Sequence, residues 1–270
     1  MLGTDLVGML RGGGEHVKGV DRDTLDITDP AACAAVTDFD VVVNCAAFTA
    51  VDAAEDDEAM AFAINAVGAA NLARAACRTG ARLVQISTDY VFSGIADHPY
   101  NEDGPLAPAS AYGRTKAAGE WAVRAECPNH LVVRTAWLYG VHGPCFPSTI
   151  VRVARESGTV DVVDDQIGQP TWTVDLADLV VRLVVAGAPA GTYHGTSSGR
   201  TSWFGFAKAV VRSAGLDPAL VRPISSNASD RPAPRPAFSV LGHGSLSGIG
   251  VAPIGDWDQR WAVAAERVLK

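Results

Sequence analysis

The chain has 270 residues, 48% of them hydrophobic and 19% charged, with a formal net charge of −8. That is enough apolar material for the core of one large domain or two modest ones. The acidic balance argues against a nucleic-acid-binding protein, because such a protein normally carries a basic face.

The sequence gives no signal for membrane insertion, secretion or metal binding. No apolar run approaches the roughly 20 residues of a membrane span, and the first residues lack the basic start of a signal peptide. The histidines are dispersed, without a pair at metal-binding spacing. Redox or metal spacing is also missing among the cysteines, which predicts a reduced, cytoplasmic protein. These are Cys33, Cys45, Cys77, Cys127 and Cys145.

The first 140 residues alternate short apolar runs with longer helical patterns. Four runs predict strands buried on both faces, at residues 16–20, 40–46, 81–88 and 130–137. Asp29 and Pro30 open a short helix as N-cap and first helical residue. A long alanine-rich helix ends at Gly80, and another begins at Ser110. This alternation predicts a doubly wound α/β fold, with a parallel sheet covered on both sides.

Beyond residue 140 the pattern is looser. Residues 139–147 and 165–173 are predicted loops, and 225–238 a Ser- and Pro-rich extended segment. Helices are predicted at 148–158, 174–187 and 256–270, and short strands at 160–165 and 191–197. We therefore divide the chain into residues 1–140 and a smaller region, 141–270, that forms the second wall of a cleft. The helix at 174–187 is expected to return to the first sheet.

Tyr112 and Lys116 are the strongest chemical signal. They lie four residues apart in the predicted helix and so project from one face. A lysine ammonium beside a tyrosine favours the phenolate, which brings the hydroxyl closer to a useful acid/base pKa. Taken alone, the spacing also fits an ordinary exposed helix face.

A second group of polar residues follows the strand at 81–88. Ser87, Thr88 and Asp89 would lie at its carboxyl end, where open α/β sheets bind ligands. A hydroxyl there can bond a substrate carbonyl while Tyr112 delivers a proton. The alternative is that these residues only turn the chain.

Cofactor contacts are predicted at the ends of two other strands. Cys45, Ala46 and Ala47 are small enough for a flat ligand to approach the backbone, although they could equally serve close strand–helix packing. At the end of the strand at 16–20, Asp21 can accept bonds from an adenosine ribose, whereas Arg22 can pair with a 2′-phosphate. NADH and NADPH therefore both remain open. Asp26 and Ile27 are placed near the adenine.

Several of these segments occur in the order found in one known family. "NCAAFTAVDAAE", "STDYVFSG", "YGRTK", "RTAWLYG", "DQIGQPT" and "RPAPRPAFSVL" resemble dTDP-4-dehydrorhamnose reductases, of the extended short-chain dehydrogenase/reductase superfamily. The resemblance covers nearly the whole chain from Gly3. It implies a Rossmann-type domain with a small nucleotide-sugar-binding domain, reducing a dTDP-linked 4-keto-6-deoxy sugar to dTDP-L-rhamnose with NADPH or NADH.

The resemblance also implies roles for individual residues. Tyr112 is the proton donor, Lys116 holds the nicotinamide ribose and tunes Tyr112, and Thr88 is the third catalytic hydroxyl. Thr88, Asp89 and Trp137 would contact the nucleotide-sugar, Trp137 having the alternative of a core aromatic. Cys45 to Ala47 would line the cofactor. We expect a monomer or homodimer that binds neither nucleic acid nor membrane.

Two departures from the family concern a metal and the opening residues. Some members hold Mg²⁺ at a dimer interface with glutamates, whose positions here are Asp5 and Val174, so neither the metal nor that dimer is carried over. "MLG" matches only the tail of the family's glycine-rich loop, with Gly3 as the last glycine and the preceding strand missing. The following residues predict a first helix with an apolar stripe of Leu2, Leu6, Met9 and Leu10.

Two other functions remain open. One is a different nucleotide-sugar epimerase or dehydratase, although dehydratases use a glutamate after the Thr-Asp pair and none follows Asp89. The other is a non-catalytic subunit, like the regulatory β subunit of methionine adenosyltransferase. Tyr112, Lys116 and Thr88 together favour the enzyme, because a scaffold has no need of all three.

The incomplete loop generates a first prediction. The backbone N–H groups of such a loop hold the cofactor pyrophosphate, and loss of a central strand exposes its neighbours. The chain as written should therefore bind NADPH and NADH weakly and be marginally stable. Titration of each cofactor by calorimetry checks this, and tight binding would contradict it.

Overall fold

The computed structural model describes residues 1–228 and 231–270, which form helices and short strands in alternation. The helices are α1 Leu2–Gly12, α2 Pro30–Ala34, α3 Ala53–Asp56, α4 Glu58–Phe62, α5 Ala69–Thr79, α6 Ala111–Glu126, α7 Phe146–Ser157, α8 Thr173–Val185, α9 Trp203–Ser213, α10 Gly244–Gly248 and α11 Trp257–Val268. The strands are β1 Val41–Asn44, β2 Arg82–Thr88, β3 His130–Thr135, β4 Leu138–Tyr139, β5 Val160–Val163, β6 Ile167–Gly168, β7 Thr171–Trp172, β8 Gly191–His194, β9 Ser197–Ser198, β10 Thr201–Ser202, β11 Val221–Ile224 and β12 Ile254–Asp256.

The central sheet is parallel, with the strand order β1-β2-β3-β8. Asn44 is paired with Gln85, and Thr88 with Thr135, so polar residues end three neighbouring strands at one edge. Helices α5 and α6 cover one face of the sheet, and α1 and α8 cover the other. The predicted doubly wound α/β fold is confirmed, and α8 does pack on this sheet.

Local helix signals in the sequence are confirmed by the hydrogen bonds at the helix ends. The Asp29 carboxylate accepts the Ala31 N–H at 2.8 Å, and the Ser110 hydroxyl oxygen accepts the Gly113 N–H at 3.1 Å. Gly80 ends α5 in the left-handed conformation, with φ of 75°. These short-range signals act within one turn, and no distant residue has to cooperate for them to form.

The apolar stripe predicted for the first helix is also present. Leu2 and Leu6 are buried between the sheet and α8, while Met9 packs at the margin of the same cluster. The buried face of α1 thereby attaches the opening residues to the sheet.

The strand predicted at residues 16–20 is wrong. These residues form no strand, and all but Val17 are exposed. Among the described residues β1 pairs with β2 alone, and residues 16–20 do not add to its other edge, so the segment shares no ladder of backbone hydrogen bonds. An apolar run can form a stable strand only where such a partner exists.

The long helix expected to end at Gly80 is interrupted. Residues Ala63–Gly68 form a π-helical segment between α4 and α5. Gly119 of α6 lies directly against the backbone of Asn65 in this segment, and an added Cβ would clash with the Asn65 carbonyl oxygen. The widened turn therefore lies where two helix backbones approach most closely.

The stretch Glu58–Thr79 is long and apolar enough to span a bilayer by length and composition alone. The expectation that no apolar run approaches this length is therefore corrected. Within its most apolar window, 61% is buried inside the protein. That burial is typical of a core helix.

The second half of the chain surrounds its own hydrophobic cluster. Helices α7, α9 and α11 pack around Phe206 and Trp261, beside the parallel pair β5 and β11. The predicted loop at 165–173 contains the short strands β6 and β7 instead. Of the predicted extended segment 225–238, residues 229 and 230 lie outside the described residues, and its start is a 3₁₀ turn at Ser226–Ala228. The domain division at residue 140 stays a prediction.

A buried ion pair joins α6 to the central sheet. Arg134 of β3 donates to both carboxylate oxygens of Glu120, at 2.9 and 2.8 Å. The Ser87 hydroxyl of β2 and Arg124 donate to the same carboxylate, at 2.6 and 2.9 Å. Burial alone would raise the pKa of Glu120, but these partners hold it below its usual value. Arg134 also donates to the carbonyl oxygen of Glu102.

Removal of Arg134 should be strongly destabilising, because it leaves a buried carboxylate without its main partner. We expect Arg134→Met to lower the free energy of unfolding by about 3–5 kcal/mol. The control is Arg222→Met, which breaks an exposed pair with Asp161 and should cost less than about 1 kcal/mol. Urea unfolding measures both, and equal losses would contradict the expectation.

Candidate active site

Tyr112, Lys116 and Thr88 come together at the carboxyl edge of the sheet. Tyr112 and Lys116 are one turn apart near the start of α6, and Thr88 is the last residue of β2. All three side chains are buried. The Ser110 cap fixes the start of α6, and the Glu120 pair holds the helix against β2 four residues beyond Lys116.

The electrostatic environment of Tyr112 differs from the one expected. Burial raises the pKa of Tyr112 to about 12, while a hydrogen bond with Thr88 opposes the rise and the Asp89 charge adds to it. The expected lowering by Lys116 is not found. The ammonium group of Lys116 instead donates to the carbonyl oxygen of Ile86 at 2.7 Å. Tyr112 is therefore held protonated at neutral pH.

Lys116 is also shifted by its surroundings. Burial lowers the pKa of Lys116 to about 8, against the opposing effect of the Glu120 carboxylate. An ammonium group with this pKa is still mostly charged at neutral pH. Its bond to the Ile86 carbonyl fixes it beneath the site.

Thr88 and Asp89 form a buried polar pair. The Thr88 hydroxyl donates to Asp89 Oδ1 at 2.8 Å and accepts from the Tyr90 N–H at 3.3 Å. Burial raises the pKa of Asp89 to about 6, although hydrogen bonds from Ser239 and Thr88 oppose the shift. The same hydroxyl is hydrogen-bonded to Tyr112, so Thr88 connects Asp89 with the tyrosine.

The predicted small-residue loop follows β1 and lies close to α1. The Ala46 N–H donates to Asn44 Oδ1 at 3.0 Å, which fixes the start of the loop. An added Cβ at Gly3 would lie 3.7 Å from the Cys45 Cβ, so the two backbones run close together. Burial raises the pKa of Cys45 to about 12, with the charges of the chain's amino terminus and Lys116 opposing it. The loop, the start of α1 and Lys116 are therefore neighbours.

The remaining predicted cofactor residues lie away from the catalytic trio. Because no strand precedes them, Asp21 and Arg22 are exposed in a turn and not at a strand end as predicted. Arg22 pairs with Asp23 at 3.7 Å, both nearly fully exposed. Oδ1 of Asp26 accepts hydrogen bonds from the N–H and the hydroxyl group of Thr28, which stabilises the turn that contains both residues.

Ile27 contacts the π-helical segment. An added Cβ at Gly68 would lie only 2.6 Å from its Cδ1 atom, so the glycine leaves room for this side chain. Its carbonyl oxygen accepts from Asn71 at 3.0 Å, which ties the turn to α5.

Trp137 follows β3 in an unusual conformation. Its φ is 48°, in the left-handed region that favours glycine. Its indole stacks on Trp203, with ring centroids 3.6 Å apart and planes 7° apart. Gly168 lies so close to the indole that a side chain at that position would clash with it. These contacts hold the ring of Trp137 against residues of the second half of the chain.

Sequence reasoning missed two amides that organise the site. Asn65 Oδ1 accepts the Phe48 N–H at 2.8 Å, and its Nδ2 group donates to the Phe48 carbonyl oxygen and to Thr115, next to Lys116. Gln169 bonds the N–H and the carbonyl oxygen of Leu241 in the same way. The quoted "DQIGQPT" contained Gln169, but no local pattern reveals a partner 72 residues away.

Gln169 holds a segment that we call the strap, residues 231–241. The Phe238 N–H donates to the Gly94 carbonyl oxygen, and Ser239 is bonded to Ile167 in the same manner, both at 2.9 Å. Ser239 thereby comes to lie beside Asp89. The strap thus forms one wall of the site.

A metal site requires several ligating side chains close together. Within residues 1–228 and 231–270 there is no group of three or more His, Cys, Asp and Glu side chains that could hold an ion. Asp5 pairs instead with His142, at 3.5 Å.

A parallel sheet with helices on both faces, carrying this trio at its carboxyl edge, defines a Rossmann-type fold of the extended short-chain dehydrogenase/reductase class. The model of the family described as "RmlD substrate binding domain" matches residues 1–269. The chain belongs to that family.

Individual relatives agree with this assignment. The chain is 48% identical to a dTDP-4-dehydrorhamnose reductase of Streptomyces griseus, over 95% of this chain and 87% of that protein. It is also 48% identical to a dTDP-4-keto-6-deoxy-D-glucose reductase of Streptomyces niveus, over 95% and 90%. The crystal structure of dTDP-4-dehydrorhamnose reductase from Bacillus anthracis in complex with NADP has a TM-score of 0.93 and 36% identity, covering 99% of this chain and 94% of that one.

The burial of Asp89 should make the free energy of unfolding depend on pH. Its pKa rises from 3.8 to about 6 on folding, so the ionised form is disfavoured and its contribution to stability falls as pH rises from about 4 to about 6. Asp89→Asn removes this component, and across that window the variant should gain about 3 kcal/mol relative to the unsubstituted chain. Urea unfolding at several pH values measures the difference; a pH-independent difference would contradict the assigned burial.

Proposed function

We propose that this protein reduces the C4 ketone of dTDP-4-dehydro-L-rhamnose with NADPH or NADH, giving dTDP-L-rhamnose for cell-surface polysaccharide. The observation that carries the proposal is the buried trio of Tyr112, Lys116 and Thr88, at the edge of the sheet where α/β proteins bind ligands. Similarity to reductases of dTDP-linked 4-keto sugars supports the substrate class.

The residues around the trio fit a dinucleotide on the nicotinamide side. Cys45, Ala46 and Ala47 offer a loop of small residues, and Gly3 at the start of α1 lies beside that loop. Lys116 lies at the same place and would hold the nicotinamide ribose. When bound, the reduced nicotinamide supplies the hydride. The B. anthracis relative was crystallised with NADP, while Asp21 and Arg22 fit either cofactor.

The proton step follows from the state of the three side chains. Because the pKa of Tyr112 is raised to about 12, the hydroxyl keeps its proton until a stronger base, the developing C4 alkoxide, is placed against it. Thr88, whose hydrogen bond opposes the rise in the Tyr112 pKa, stabilises the phenolate that remains, while Lys116 is kept for the nicotinamide ribose. The Thr88 hydroxyl completes the hydrogen bonds around the C4 oxygen by turning its proton from Asp89 to the substrate.

The other wall of the cleft would hold the rest of the substrate. Trp137 is held by its stack on Trp203 and its contact with Gly168 and stays partly exposed, so the exposed part of its indole offers a fixed surface to the nucleotide-sugar. Asp89 lies beside Thr88 and can accept from a sugar hydroxyl. We assign residues 141–270 mainly to nucleotide-sugar binding, with residues 1–140 and α8 holding the cofactor.

The setting of the enzyme is also proposed. A cytoplasmic location is supported by the five cysteines, all of which are free thiols. We expect a monomer or a homodimer.

Tyr112→Phe tests the mechanism directly. Without the hydroxyl the alkoxide loses its proton donor, so kcat should fall by about 100-fold or more, while binding of dTDP changes little. Turnover of dTDP-4-dehydrorhamnose is followed by oxidation of NADPH and of NADH.

Tyr193→Phe is the matched control, because its hydroxyl bonds only the Pro189 carbonyl oxygen among the described contacts. It should keep full activity. Undiminished turnover in Tyr112→Phe would overturn the mechanism, and no turnover by the unsubstituted chain at concentrations where calorimetry shows NADPH or NADH bound would overturn the function.

A further inference from the structure

An anion is already bound by the strap, and that anion is a side chain of the protein itself. Arg235 donates through Nη2 to Asp52 Oδ2 at 2.7 Å, and the Ala233 N–H donates to Asp52 Oδ1 at 3.2 Å. Arg235 Nη1 bonds the Ala233 carbonyl oxygen, which orients the guanidinium group. Although burial opposes it, Arg235, the Ala233 N–H and the Arg231 charge together hold the pKa of Asp52 below its usual value.

This arrangement is suited to phosphate oxygens. Arg235 donates one bond and the Ala233 N–H donates a second to the two oxygens of one carboxylate, and the same two donors can bind two oxygens of a phosphate. Arg235 is largely buried, with 13% of its side chain exposed, whereas 42% of Asp52 is exposed. The arginine is thus fixed in place while its partner can move away into solvent.

The position of this cradle links it to the catalytic trio. Burial and the Asp89 charge raise the pKa of Tyr90, while Arg235 and Arg231 are near enough to oppose that rise. The Tyr90 ring meets the Tyr112 ring edge-on, with centroids 5.5 Å apart. Four residues along the strap from Arg235, Ser239 lies beside Asp89. Arg235 therefore lies near Tyr90, whose ring is in contact with the catalytic tyrosine.

We propose that Arg235, assisted by Arg231, binds the diphosphate of the nucleotide-sugar, and that Asp52 takes the diphosphate's place when the site is empty. The inference rests on the proposed function. A protein of net charge −8 needs local cations to hold such a ligand. Lys116 does not serve this ligand, because its ammonium group is bonded to the Ile86 carbonyl and is assigned to the nicotinamide ribose.

The cofactor also carries a pyrophosphate, but the structure favours the sugar nucleotide. The loop at Cys45 and the start of α1, where the cofactor is expected, are neighbours of each other. The cradle is instead formed by the strap, and Asp52 follows that loop on the side of Tyr90. The strap reaches the trio from the second half of the chain, which we assign to the nucleotide-sugar.

The test uses the full chain with dTDP as the probe, titrated by calorimetry. Arg235→Gln should weaken dTDP binding by roughly 10- to 100-fold, the range expected for losing charge-assisted hydrogen bonds. Arg231→Gln should weaken it by a smaller factor and serves if Arg235→Gln does not fold. Thymidine, which lacks the phosphates, should bind the unsubstituted chain and Arg235→Gln with equal affinity.

Asp52→Asn is the decisive control, because it breaks the same ion pair and leaves the arginine. If Asp52 only takes the place of the diphosphate, this variant should bind dTDP as tightly as the unsubstituted chain or more tightly. If the pair is merely a structural latch for the strap, Asp52→Asn and Arg235→Gln should lose affinity equally, which would overturn the proposal.

The other outcomes are equally definite. Unchanged dTDP affinity in both arginine variants would overturn the inference and leave the proposed function standing. Weakened NADPH binding with unchanged dTDP binding would assign the cradle to the cofactor and also overturn it. If the unsubstituted chain binds no dTDP, the proposed function itself fails, and this inference fails with it.

Discussion

The pairing of Glu120 with Arg134 is the interaction on which the site depends. Two charges taken out of water are tolerable only because the carboxylate receives bonds from Arg134, Ser87 and Arg124 together. The pair fixes the rotation of α6 about its axis relative to β2 and β3. That rotation decides whether Tyr112 and Lys116 face the end of β2 where Thr88 lies. The catalytic geometry is thus set by a network that contains none of the three predicted catalytic residues.

Much of the fold could be predicted because its signals are local. Asp29, Gly80 and Ser110 each mark a helix end through bonds within one turn, and three of the four predicted strands in the first half are present. The strand at 16–20 failed because an apolar run does not reveal whether a neighbouring strand exists. The π-helical segment was missed for a related reason, since it lies against Gly119 of another helix, a contact that no local pattern reveals.

The same distinction between local signals and long-range contacts applies to the candidate site. The spacing of Tyr112 and Lys116, and the position of Thr88 at a strand end, could be read from the sequence and led to residues that the structure brings together. The charge environment could not, because the raised pKa of Tyr112 follows from burial and from the direction of the Lys116 side chain. Asn65, Gln169 and Arg235 were missed because their partners lie 17, 72 and 183 residues away.

The backbone at Trp137 shows how the second wall is stabilised. A left-handed conformation in a residue other than glycine costs on the order of 1–3 kcal/mol, and here the stack on Trp203 and the contact with Gly168 offset that cost. Glycine at position 137 would relax the backbone and at the same time remove the indole surface. Under the proposed role of Trp137 in nucleotide-sugar binding, stability and binding make opposite demands at this position, so a substitution that relieves the backbone strain would remove a proposed ligand contact.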